Sequence, residues 1–378
     1  MDRMRIAFVG SGAVDHHVRD ARIVVESDSF FCVQYARDSS SYLSLEPVVP
    51  GAKINVPVLP AAPLALADGV PGGGALNSLS AFAELVPGAE YRYLDSGERD
   101  EVLAARCAEL GAESRFMGLY PTPYNAVIGM GRRDRVILKS IACRTSRLNA
   151  DSAAEFESLA GFDAVVMNSA RPVSVASQVV NMQAWAGFRL HAAITHSLPA
   201  GFVVRTVLPV ATTVFANWDE MDVLANSPFE RTVKGAADLL RWLKHVAPLA
   251  TVFVTMGAKG ALVSLIGSDD VVRVCLRPGV ARAVSTCVAA APSGVCGCGD
   301  AFGAGAVAAM ETGRSWLVEP AGCVSAVYWA LSGCAAALRH LGYSRPLTPS
   351  DFDVRRVGLC SSELPNQAGA YSLKPRLV

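Results

Sequence analysis

The sequence predicts an α/β fold built on a mostly parallel sheet, and two observations carry that prediction. From residue 160 onward, short apolar runs alternate with amphipathic stretches of helical period. Such alternation lays strands side by side and covers both sheet faces with helices, giving an α/β/α sandwich. The second observation is composition: hydrophobic residues make up 51% of the 378 and charged residues only 18%. That is enough apolar surface for a large core and too little charge for a disordered chain. No internal repeat and no long linker divides the chain, so one domain is expected over residues 1–353, followed by a tail, 354–378.

The elements follow in order. Arg5–Gly10 reads as a buried strand running into a Gly-Ser-Gly turn. Residues 28–60 are aromatic, β-branched and interrupted by proline, which suggests short strands and loops outside the main core. Gly72-Gly73-Gly74 opens a helix on which Leu76, Leu79, Ala83 and Val86 recur at helical spacing. A charged amphipathic helix is expected at 99–111, then strands and turns from 115 to 141. The regular part contains strands Phe162–Met167, Arg189–Thr195, Thr212–Asn217 and Thr251–Met256, with helices at 174–186 and 230–247 between them. Ala261–Ile266 and Val271–Leu276 form an antiparallel pair. Residues 277–292 read as an irregular insertion, 300–312 and 318–341 as apolar helices, and the chain after Pro346 as loop.

Composition also excludes functions. Lys plus Arg number 34 and Asp plus Glu 34, so the net charge is zero. A nucleic-acid binder or a polybasic membrane-surface protein needs a basic excess. The ten cysteines contain no CxxC and fit buried thiols in a reducing compartment. No secretory signal is visible, and the uncharged stretch Ala321–Leu338 reads as a buried helix rather than a membrane span. A cytoplasmic protein is expected.

Four segments can carry chemistry. Gly294-Val-Cys-Gly-Cys-Gly-Asp-Ala-Phe-Gly-Ala-Gly305 leads small residues into a helix with an acid in its first turn. Unpaired N–H groups there attract negative charge, and Asp300 suits a base that deprotonates a hydroxyl while those amides stabilise a moving phosphoryl group. The alternative is a first-turn acid beside glycines that merely permit tight helix packing. Thr255-Met-Gly-Ala-Lys-Gly-Ala-Leu-Val263 reads as strand, glycine turn and strand. Its amides and Lys259 suit a nucleotide phosphate, unless it is a plain turn with a solvated lysine. Asn217-Trp-Asp-Glu220 ends a strand, where a carboxylate and an amide suit hydrated magnesium, or else simply cap a helix. Gly10-Ser-Gly-Ala-Val-Asp15 half-matches a dinucleotide fingerprint, but Asp15 would repel a pyrophosphate and better accepts hydrogen bonds from hydroxyls. No P-loop and no nucleophile elbow occurs in the sequence.

Together and in this order, these segments resemble the ribokinase-like, or PfkB, family of small-molecule kinases, over roughly residues 5 to 353. Gly72-Gly73-Gly74-Ala-Leu-Asn77 matches the family's GGxxxN, Asn217 and Glu220 its NxxE, Thr255, Gly257 and Gly260 its TxGxxG, and Gly297-Cys298-Gly299-Asp300 its GAGD. The resemblance implies a central α/β/α core with a small β-sheet lid, placed at about 28–60 and 113–141. It implies Asp15, Gly72, Gly73 and Asn77 at the acceptor. It assigns Asn217, Glu220, Thr255, Gly257, Lys259 and Gly260 to ATP and, through water or phosphate, Mg²⁺. Asp300 becomes the base, with the amides of Gly297, Cys298, Gly299 and Asp300 as the anion hole.

The family's Asp-Thr ahead of this loop is Gly294-Val295 here, which argues against a monovalent-cation site. The implied activity is phosphoryl transfer from ATP to the hydroxymethyl of a small sugar or purine nucleoside. Scaffold segments Leu208–Asn217 and Gly342–Phe352 look similar to adenosine kinases, which would place the chain in purine salvage. The implied partner is the small-molecule acceptor alone, with the chain a monomer or homodimer. The competing readings are an inactive kinase scaffold that binds nucleoside or nucleotide, and a Rossmann dehydrogenase.

Overall fold

The computed structural model describes residues 3–18, 21–27, 30–35, 38–44, 53–56, 69–130, 134–140, 150–226, 229–230, 232–264, 271–290, 297–313 and 326–357. Strand β1 (Arg5–Gly10) is followed by β2 (Ala13–Val18), β3 (Ala21–Ser27), β4 (Phe30–Tyr35), β5 (Asp38–Ser44), β6 (Lys53–Val56) and β7 (Val70–Gly72). Then come α1 (Gly74–Leu85), β8 (Glu90–Asp95), α2 (Glu101–Glu109), β9 (Ala112–Phe116), β10 (Tyr124–Met130) and β11 (Asp134–Ser140). The regular part runs α3 (Ala150–Glu157), β12 (Ala164–Asn168), α4 (Val173–Ala186), β13 (Arg189–Ala193), α5 (Ala200–Phe202), β14 (Thr213–Asn217), α6 (Trp218–Ala225), α7 (Val233–Val246) and β15 (Thr251–Thr255). The chain continues through β16 (Ala261–Ser264), β17 (Val271–Leu276), α8 (Pro278–Ala290), α9 (Cys298–Thr312), α10 (Ala326–His340) and β18 (Phe352–Val357).

The main sheet has ten strands in the order β18-β17-β16-β15-β14-β13-β12-β1-β8-β9. Neighbours from β9 through β15 are parallel, and β16, β17 and β18 close the far edge antiparallel. Alternation along β1 builds the layers: Ile6 and Phe8 enter one core, Ala7 and Val9 the other. The first core packs α1, α9 and α10 through Leu76, Phe302 and Leu331. The second packs α4 and α7 through Val175 and Leu240. This is the expected three-layer sandwich. The chain steps from β1 to β8 on one side and later to β12 on the other, so a switch-point crevice opens at the carboxyl ends of β1 and β12, where such sheets bind ligands.

A five-stranded sheet, β6-β11-β10-β2-β7, and a three-stranded sheet, β3-β4-β5, lie outside this core. The lid is therefore assembled differently from the expectation. Residues 112–116 pair with β8 in the main sheet, so the second lid segment starts only at β10. The first splits between the two small sheets, and β2 and β7, outside both expected segments, complete the larger one. Two local readings are also corrected. Residues 278–290 are helix rather than irregular: Ala281 N–H bonds the Arg277 carbonyl at 2.9 Å, which puts Pro278 in the first turn, where its missing N–H costs nothing. The chain after Pro346 is not all loop, because Phe352–Val357 pairs with β17. The apolar stretch near 321–338 is observed from Ala326 as α10, and no helix among the described residues is long and apolar enough to cross a membrane.

Candidate active site

Register fixes the floor of the crevice. Gly10 pairs with Asn168 on one side and Asp95 on the other, at the carboxyl ends of three adjacent parallel strands. Asp300 enters from the first turn of α9. Its Oδ2 accepts a 3.0 Å hydrogen bond from Asn77 Nδ2 and its Oδ1 a 2.9 Å bond from Asn168 Nδ2. Asn168 is buried, and its second amide hydrogen reaches Ser78 Oγ at 3.1 Å, while its Oδ1 accepts from Ser169 Oγ at 3.2 Å. An ionised carboxylate only accepts, so both asparagines must turn an N–H toward it. Asp300 is thus held in one orientation by α1 and by the end of β12.

A three-glycine ribbon joins this carboxylate to the lid. A Cβ on Gly72 would lie 2.3 Å from Asp15 Oδ2, and a Cβ on Gly74 2.2 Å from Asn168 Oδ1. Side chains at either end would push those groups away, so the ribbon exists to admit them. Asp15 is on β2, just past the turn after β1, and Asn125 Nδ2 on β10 donates to its Oδ1 at 2.7 Å. The turn between β1 and β2 is tied down by Asp95, which accepts from Gly12 N–H at 2.8 Å, Gly97 N–H at 2.8 Å and the Tyr93 hydroxyl at 2.6 Å. Burial pushes the Asp95 carboxyl above its ordinary value, and those three donors hold it back. Because Gly10–Gly12 enters a strand rather than a helix, it lacks the helix N-terminus that a dinucleotide fingerprint uses for pyrophosphate.

Further along the sheet edge, Asn217 and Thr255 are register partners on β14 and β15. Asn217 and Glu220 form a capping box: Glu220 N–H donates to Asn217 Oδ1 and Asn217 N–H to Glu220 Oε2, both at 2.8 Å. The helix-cap reading of this pair is therefore correct for the atoms so engaged. Gly257 and Gly260 have φ of 57° and 93° in the turn between β15 and β16, and Lys259 is exposed there.

The glycines near Asp300 divide into two kinds. A Cβ on Gly305 would lie 2.5 Å from Ala336 Cβ, so this glycine serves the close crossing of α9 and α10. Gly297 and Gly299 serve no such contact with a neighbouring helix backbone. Gly297 caps α9 with φ of 78°, and a Cβ on Gly299 would meet nothing within 4 Å. Beside Gly299 the space is open, as an approaching anion requires, whereas a Cβ on Gly297 would lie 3.0 Å from His340 Nε2. The sequence singled out both kinds together. Cys298 is a half-buried cysteine in this turn, while Cys296, Gly294 and Val295 lie outside the described residues. Asn168, Asn125 and Asp95 were not singled out. Asn168 and Asp95 each end a parallel strand, the place the ligand rule marks. Asn125 is identifiable only from register.

Comparison with known proteins agrees with this fold. Residues 149–317 match the pfkB family carbohydrate kinase model. No curated protein sequence matches the chain. Among solved structures, adenosine kinase from Sinorhizobium meliloti is similar at TM-score 0.63 and 17% identity, covering 93% of this chain and 97% of that one. A probable sugar kinase from Rhizobium etli gives 0.63, 16%, 93% and 97%. A ribokinase from Arabidopsis thaliana, complexed with ribose and ATP, gives 0.56, 15%, 92% and 95%. At these identities the likeness is one of fold: the chain has a ribokinase-like fold, and its residues 149–317 are similar to the pfkB family of carbohydrate kinases.

Proposed function

We propose that the protein is an ATP-dependent kinase that phosphorylates the hydroxymethyl group of a small sugar or nucleoside. The observation that carries this reading is the Asp300 carboxylate, gripped by two neutral amides in the first turn of α9, beside open space at Gly299. Asp15 holds ring hydroxyls of the acceptor under the lid. The ribbon from Gly72 to Gly74 spans at most about 7 Å, so a single sugar ring anchored at Asp15 reaches Asp300 with its hydroxymethyl. Asp300 takes the hydroxyl proton as the oxygen attacks, and the amides of residues 297–300 stabilise the transferring phosphoryl group.

ATP lies along the sheet edge past Asn217 and Thr255, with the Gly257–Gly260 turn beside it. Among the described residues no group of three or more His, Cys, Asp and Glu converges, so magnesium would be held mainly by phosphate oxygens and water, with Glu220 acting through water. When bound, it neutralises phosphate charge. An ADP-release screen over nucleosides, ribose, fructose-type sugars and their phosphates, with magnesium and with or without potassium, tests the reading. One acceptor class should drive ADP release. No release with any acceptor would replace the kinase by a non-catalytic binding protein on the same scaffold.

A further inference from the structure

The lid contains a buried acceptor without a donor. Asn125 on β10 is only 8% exposed, and its Oδ1 has no hydrogen-bond partner among the described residues. Buried side-chain oxygens are nearly always paired, so this atom calls for an explanation. Its orientation follows from chemistry. The neighbouring Asp15 carboxylate can only accept, so Asn125 must present Nδ2 to it, at 2.7 Å, and its Oδ1 is committed away from that contact. Turning the amide over would bring two acceptors together.

The location is equally defined. Asn125 and Asp15 are register partners on parallel strands of the lid sheet. The Asp15 carboxylate lies against Gly72, the first residue of the ribbon that ends beside Asn168 and Asp300. The orphan oxygen therefore sits next to the group proposed to hold the acceptor, one amide away from it. Two acceptors so placed match two hydroxyls on adjacent ring carbons. They do not suit a ligand that brings a carboxylate or phosphate to this end of the site.

We propose that Asn125 Oδ1 receives a second ligand hydroxyl, so that Asp15 and Asn125 together read a neutral vicinal diol. The inference rests on the reading of this crevice as the acceptor site, and it names the substrate feature that the site selects. No other donor in the described structure satisfies the oxygen. The lid strand that carries it is also the strand that orients Asp15, so hydroxyl recognition and the setting of Asp15 are one device.

The test is equilibrium binding by calorimetry on the full chain, with ribose, fructose and adenosine against deoxy analogues that lack one hydroxyl of the pair. Wild type should bind the diol about tenfold or more tighter than the deoxy compound, a difference of one hydrogen bond. Asn125→Ala should bind the diol no tighter than the deoxy compound that lacks the hydroxyl taken by Asn125, and should keep its preference over the one that lacks the hydroxyl held by Asp15. Asn125→Ser is the second variant should the alanine protein fail to fold, and the wild-type comparison needs no variant. Equal binding of diol and deoxy compound by wild type, undiminished preference over both deoxy compounds in Asn125→Ala, or no binding of any of these diols would each overturn the inference. The kinase reading is separated by ADP release. Diol binding dependent on Asn125 without ADP release removes the kinase and keeps the diol site. Phosphorylation with unchanged preference in Asn125→Ala does the reverse.

Discussion

The two ends of helix α9 carry carboxylates held by opposite means. At its start, Asp300 is gripped by two uncharged amides, Asn77 and Asn168. At its end, Glu311, with a side chain 1% exposed, is gripped by Arg189 at 2.5 Å and by His191 at 3.1 Å. His191 is in turn fixed by Thr213 Oγ1 at 2.8 Å. Burial pushes the Glu311 carboxyl up, but hydrogen bonds from His191 and Arg189 and their charge outweigh it and hold the group below its ordinary value. A carboxylate locked to a cation gives up its proton affinity and becomes an anchor. Asn77 and Asn168 orient the Asp300 carboxylate, as the proposed base role requires. The helix thus carries one carboxylate toward the crevice and is pinned to β13 by the other.

The comparison breaks first if Asp300 is not the reactive end. Asp300→Asn keeps the shape and removes the base, so kcat should fall by on the order of 10² to 10⁴, with nucleotide binding kept when measured by calorimetry. Turnover within a few-fold of wild type would remove Asp300 from the base role. Removing the grip rather than the base should cost less. Asn168→Ala removes one of the two amides that orient the carboxylate, and kcat should drop by about 10- to 100-fold, as expected for weakened orientation. The acceptor KM should change little, because Asn168 faces the carboxylate. A rise in KM at constant kcat would instead make Asn168 a ligand contact.

At the anchored end the readout is stability. Glu311→Gln should destabilise the fold by about 1–3 kcal/mol, the range for hydrogen bonds to a buried charged group, measured by urea unfolding. The pH dependence has a fixed sign. A carboxyl held below its ordinary value contributes stability that is complete above that value, 4.5 for a glutamate, and is lost as pH falls through the lower folded-state value. The stability gap between wild type and Glu311→Gln should therefore be widest at neutral pH and shrink below about pH 4.5. A gap that is constant with pH would show that the packing of α9, not the ionised pair, is what the substitution disturbs.

The same two ends show what a sequence can disclose. The layered core was legible because the period switches from two to three or four along the chain, as in Ile6–Val9 against Leu76 and Leu79. Asp300 and Gly297–Gly299 stood out because glycines leading into a helix leave N–H groups open to an anion, and because the run matches the GAGD of the family it resembles. Asn168 and Glu311 were not, since each depends on partners far away in sequence: Asp300 is 132 residues from Asn168, and His191 is 120 residues from Glu311. The lid was half legible. Its β character showed between 28 and 60, but pairing β2 with β10 and β7 is a matter of register that no local pattern states. Helix α8 was missed because its Ala, Val and Ser residues show little contrast between faces, and Pro278 reads as a breaker until its first-turn position is known.

Two glycines on α9 sharpen the comparison at the smallest scale. Gly305→Ala would place a methyl 2.5 Å from Ala336 Cβ, so the α9–α10 crossing must widen, at a cost of about 1–3 kcal/mol for overpacking. Its folded fraction should turn over acceptor as wild type does, because the strain falls away from the crevice. Gly299→Ala meets nothing within 4 Å and is not at positive φ. Alanine favours helix over glycine by up to about 1 kcal/mol in a helix interior and less at an end. Stability should therefore be unchanged or raised by a few tenths of a kcal/mol, while kcat falls several-fold if a phosphoryl group approaches the backbone there. Full activity in Gly299→Ala would mean that the transferring group passes elsewhere, and that the open turn at the start of α9 is open for no ligand.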